Sequence, residues 1–152
     1  MNTRKTIDAF NSLIVINNDR IEGYKIASNE IEDVDLKMFF KDLGQTSIEC
    51  RRELTDEVER LGGIPDESTR TSGKFFRAWM EVKSVLTGND RIAILNSCQY
   101  GEGVALDIYK TVLIQDVHDI NSSEQNLLNK QYALLKSDYE KVKLIRKMNK
   151  SE

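Results

Sequence analysis

Apolar residues recur at three- and four-residue spacing over four long stretches of the chain, the repeat of a helix that buries one stripe and leaves the rest to water. The spacing predicts a helix over about Thr3 to Glu30, with Phe10, Ile14, Ile21 and Tyr24 on its stripe. A second is predicted over about Asp35 to Leu61, with Leu36, Phe40, Leu43, Leu54 and Val58 inward. The break at "EDVD" is only a few residues long, so these helices should form an antiparallel hairpin. "GGIPDEST" stops the second helix, because Gly62 or Gly63 can take the left-handed conformation and Pro65 cannot continue a helix. The segment "SGKFFRAWMEVKSVLTG" follows as a short crossover helix. Asn89 or Asp90 can then cap a helix over about Arg91 to Gln115, with Leu95, Cys98, Leu106, Tyr109 and Leu113 inward. After "DVHDIN", Ser122 and Gln125 have capping-box spacing, and the last helix runs to about Lys147 with Leu128, Leu135 and Val142 inward.

Two hairpins joined by a long crossover are the connectivity of a ferritin-like four-helix bundle. The expected fold is therefore all-α, a single ferritin-like domain over residues 1–152. Composition agrees: 31% charged residues and one proline suit long solvated helices better than a turn-rich sheet protein. The net charge of -3, with Lys and Arg interleaved among Asp and Glu, offers no basic face for nucleic acid. The apolar run Leu13 to Ile16 is too short for a signal sequence, and no stretch reaches membrane-spanning length. Cys50 and Cys98 lie in different helices without CxxC spacing, which points to a reducing, cytoplasmic setting rather than to a zinc or redox pair.

Through "IEGYKIA", "ELTDEVERLGGIP", "FFRAWMEVKSVLTG" and "CQYGEGVALDIYK" the chain resembles the bacterial four-helix-bundle family called domain of unknown function 2383, itself ferritin-like. The resemblance covers nearly the whole chain. It implies a fold and carries no activity.

Each helical stripe holds a polar residue near its middle: Asn17, then Ser47 with Cys50, then Glu102, then Gln131. Folding the hairpins brings these to similar levels, as a buried polar network. Ferritin-like di-metal sites use an inward Glu on each of two helices and a Glu-x-x-His pair on the other two. Here only Glu102 supplies a carboxylate, and the sole histidine, His118, falls in the last loop, so no metal or other cofactor is expected. Gly101 and Gly103 flank Glu102, where missing side chains allow a neighbour to approach closely or shape the space around the carboxylate. Glu22 projects away from its stripe, Glu49 and Glu53 sit on the border of theirs or outside it, and all three should face solvent, whereas Tyr24, Tyr109, Tyr132 and Tyr139 should be core residues with satisfied hydroxyls.

Arg77, Trp79 and Lys83 are expected to anchor the crossover on the bundle, and Phe75, Phe76, Trp79 and Met80 to supply the apolar face of a homodimer. No nucleophile elbow, phosphate-cradling loop or histidine-based acid/base pair is present, so no enzyme is expected. The expected role is a non-catalytic interaction or stress-associated module. One alternative is a metal-binding protein or oxidoreductase built around Glu102. Another is a small-ligand carrier with a cavity beneath Trp79.

Overall fold

The computed structural model describes residues 2–69, 91–116 and 118–150, and among them the only regular elements are four long helices. These are α1 (Thr3–Glu30), α2 (Val34–Arg60), α3 (Arg91–Gln115) and α4 (Ser122–Lys150). The expected crossover helix, its anchor residues Arg77, Trp79 and Lys83, and the caps at Asn89 or Asp90 lie outside the described residues.

Local chemistry sets the ends. Asn2 caps α1 by accepting from the Lys5 N–H at 3.2 Å, and Asp33 caps α2 by accepting from the Leu36 N–H at 3.1 Å. Gly62 takes the left-handed turn after α2, with φ of 85°. Its N–H donates to the Glu59 carbonyl at 3.0 Å and the Gly63 N–H to the Val58 carbonyl at 2.9 Å, the paired bonds of a Schellman ending. Gly63 is needed for a different reason: a Cβ there would come within 2.8 Å of Ile7 and 3.1 Å of Val58. The start of α4 corrects the expected cap by one residue. Asn121, not Ser122, accepts from the Glu124 N–H at 2.8 Å, and Glu124, not Gln125, returns the bond to the Asn121 N–H at 2.9 Å. Both four-residue segments have the right spacing, and the Glu124 carboxylate is a stronger acceptor than the Gln125 amide.

The helices pair as two hairpins, α1 with α2 and α3 with α4. Asn17 meets Tyr109 and Tyr24 meets Glu102, so α1 and α3 are antiparallel. Lys130 meets Glu53 and Arg60 meets Glu124, so α2 and α4 are antiparallel as well. Thus α1 and α4 run one way and α2 and α3 the other. No helix among the described residues is long and apolar enough to cross a membrane.

The apolar interior is divided in two. One cluster gathers Phe40, Leu43, Ile94, Leu95 and Val142 towards the end where α1 turns into α2. The other gathers Phe10, Leu13, Leu54, Leu128 and Leu135 towards the opposite end. Polar side chains fill the level between them.

Candidate functional site

Two polar layers cross the middle of the bundle, and each touches all four helices. In the first, Asn17 on α1 donates to the Tyr109 hydroxyl on α3 at 2.8 Å, and that hydroxyl donates to Gln131 Oε1 on α4 at 2.8 Å. Gln131 Nε2 then donates to the Cys50 carbonyl on α2 at 3.2 Å and to Glu53 Oε1 at 3.3 Å. Asn17 also donates to the Leu13 carbonyl of its own helix.

The second layer is ionic. Arg20 on α1 is completely buried, and its guanidinium reaches Glu102 Oε1 on α3 at 2.7 Å and Asp138 Oδ2 on α4 at 3.3 Å. It also donates to the Ser47 hydroxyl on α2, and its carbon lies 5.4 Å from the Tyr24 ring centroid. The Tyr24 hydroxyl donates to the same Glu102 oxygen that Arg20 contacts. A cation with three oxygen-bearing partners and an aromatic face therefore occupies the centre of the protein.

Burial opposes the Arg20 charge, but Glu102, Tyr24 and Asp138 more than offset it, and the guanidinium pKa moves up from an already high value. For Glu102 burial wins: the carboxyl pKa is raised despite Arg20 and Tyr24, which favour its ionised form. Burial and the neighbouring Glu102 raise Tyr24 well above its ordinary value. Cys50 is pushed up to about 12, chiefly by burial, so its thiol is not a ready nucleophile or soft metal ligand. Burial raises Cys98 too.

The five residues expected to form one network fall into two groups. Asn17 and Gln131 belong to the first layer, together with Cys50, which takes part through its carbonyl. Ser47 and Glu102 belong to the second, joined through Arg20. Arg20 and Asp138 are absent from the sequence expectation, although both lie on the repeats that mark the inward faces. Arg20 falls in the series Leu13, Asn17, Arg20, Tyr24, Ala27, and Asp138 in Leu128, Gln131, Leu135, Asp138, Val142. A stripe drawn through apolar residues alone passes over both, and on α1 it drew in Ile21, which is only half-buried. Glu53 is a further correction, since it bonds Gln131 and Lys130 instead of standing free in solvent. Glu22 and Glu49 are exposed.

The expected packing role of Gly103 also changes. A Cβ there would meet the Tyr139 ring at 3.8 Å, an ordinary contact, so close approach does not demand glycine at this position. Arg77, Trp79 and Lys83, and any cavity beneath Trp79, fall outside the described residues.

The di-metal arrangement of ferritin-like proteins does not fit these side chains. Among the described residues no group of three or more His, Cys, Asp or Glu could hold a metal ion. The two carboxylates at the centre, Glu102 and Asp138, are already turned on a permanent cation.

The family model for a domain of unknown function (DUF2383) matches residues 5–115. The chain belongs to this family. Within the DUF2383 match lie Arg20, Ser47 and Glu102, whereas α4, which brings Gln131 and Asp138, follows it. No curated protein matches the chain.

Proposed function

We propose that this DUF2383 protein is a ferritin-like bundle in which Arg20 supplies the central positive charge that a metal supplies elsewhere, and that it acts as a non-catalytic interaction or stress-associated module, cytoplasmic and homodimeric. The observation that carries the reading is the fully buried Arg20 guanidinium held by Ser47, Glu102 and Asp138. A divalent ion brought to the same level would face that fixed cation at close range, in surroundings where water screens little. The run of the helices, α1 and α4 opposed to α2 and α3, supports the ferritin-like part of the reading. Two free buried thiols, Cys50 and Cys98, are in keeping with a reducing compartment.

The test is thermal unfolding of wild type and Glu102→Gln, each with and without iron, manganese or zinc. The expected result is a wild-type transition that none of the metals raises. A ligand that binds only the folded state must stabilise it, so a rise in wild type that disappears in Glu102→Gln would establish the alternative, a metal-binding protein or oxidoreductase centred on Glu102.

A further inference from the structure

We propose that a second copy of this chain docks on the outer face shared by α2 and α4, about a two-fold axis parallel to the helices, so that α2 of each copy lies on α4 of the other. This places the association proposed above on α2 and α4 instead of on Phe75, Phe76, Trp79 and Met80, which lie outside the described residues, and does not depend on the role given to Arg20.

The face carries two stripes of opposite sign. On α2, Asp35, Asp42 and Glu49 recur every seven residues and are exposed, with Glu53 one turn further on beside α4. On α4, Lys130, Leu134, Ser137, Lys141, Leu144 and Met148 recur at alternating four- and three-residue steps and are all exposed. The first stripe is acidic and the second is basic and apolar. At one end of the face Phe39 of α2 shares a groove with Ile145 and Met148 of α4. Beside it stand Met38, 63% exposed, and Leu144, 59% exposed, large side chains with nothing yet covering them.

Two kinds of two-fold axis could cover this apolar patch with a copy of itself. An axis perpendicular to the helices would lay α2 on α2, acid on acid. An axis parallel to them lays α2 on α4 at the same level. Counting from the contact between Glu53 and Lys130 back to the start of α2, Asp42 then comes level with Lys141 of the partner subunit and Met38 within one residue of Leu144 of the partner subunit. Charge selects the second arrangement, because like charges facing each other cost affinity and opposite ones set register. The face is large enough. A helix of 27 residues such as α2 is about 40 Å long, and two helices side by side span about 20 Å, or roughly 800 Å², the usual share of one partner in a stable interface.

Sedimentation equilibrium over a range of concentrations tests the proposal, with circular dichroism confirming that each variant is folded. Wild type should be a dimer. Asp42→Lys and Lys141→Asp, both exposed positions, should each weaken the dimer on the order of tenfold, and the double exchange should restore it. A monomeric wild type overturns the proposal, as do single exchanges that leave the dimer unchanged. If Asp42→Lys tightens the dimer, α2 lies on α2 and the proposed axis is wrong.

Discussion

At the residue scale, the Arg20–Glu102 pair shows why a buried ion pair is strong in one sense and weak in another. Both side chains gave up hydration to meet at 2.7 Å, so the pair as a whole need not stabilise the fold, yet either partner alone would be a poorly compensated buried group. Glu102 Oε2 and Arg20 Nε have no hydrogen-bond partner among the described residues, which deepens that cost. Arg20→Met and Glu102→Ala should each lower stability by about 3 kcal/mol, and the double variant by much less than the sum. A double-mutant cycle measured by urea unfolding checks this, and additive losses would mean that the two side chains act independently. The raised carboxyl of Glu102 carries a second expectation, with a definite sign. Above the usual carboxylate range the unfolded chain has released this proton while the folded chain still holds it, so folding takes up a proton there. Stability should therefore fall as pH rises from the ordinary glutamate value through the shifted one. Glu102→Gln should remove that slope, and parallel stability profiles for the two proteins from the ordinary glutamate range upward would contradict it.

At the element scale, the backbone requires glycine at position 62 and packing favours it at 63, whereas neither requires it at 103. Gly62 sits at positive φ, so Gly62→Ala should cost about 1 kcal/mol by forcing a Cβ into the left-handed turn. Gly103 lies inside α3, where glycine is the poorer helix former and a methyl group fits beside Tyr139. Gly103→Ala should therefore stabilise the protein by up to about 1 kcal/mol. Opposite shifts of the thermal midpoint are the expected outcome. A loss at Gly103 would point to a contact outside the described residues. The same contrast appears at the ends of helices: the stop at the Gly62–Gly63 pair is legible because few residues tolerate that conformation, whereas the start of α4 differs by one residue from the expected one because two overlapping four-residue segments both spell a capping box.

At the scale of the whole molecule, the two polar layers separate two apolar clusters and tie every helix to the others at mid-height. α1 is the centre of this arrangement, since every residue from Leu13 to Arg20 is buried, where an ordinary surface helix would hide one side only. Opening α1 means breaking both layers and both clusters, so the slowest amide hydrogen exchange should fall in Leu13 to Arg20. Exchange measured by NMR or mass spectrometry would contradict this if the α3–α4 hairpin outlasted α1.

The sequence by itself determined the four helices, the two hairpins and a stop at Gly62 or Gly63, because these depend on spacing along one chain and on the conformations single residues allow. It also located Asn17, Ser47, Glu102 and Gln131 on inward faces. Only the tertiary structure decided that they belong to two layers and that a cation lies in one of them. A charged residue on an apolar repeat reads as surface unless its counter-charges are known, and those of Arg20 come from helices that follow it by 82 and 118 residues. Burial of a charge is settled by its partners, and which partners meet is fixed only when all four helices pack.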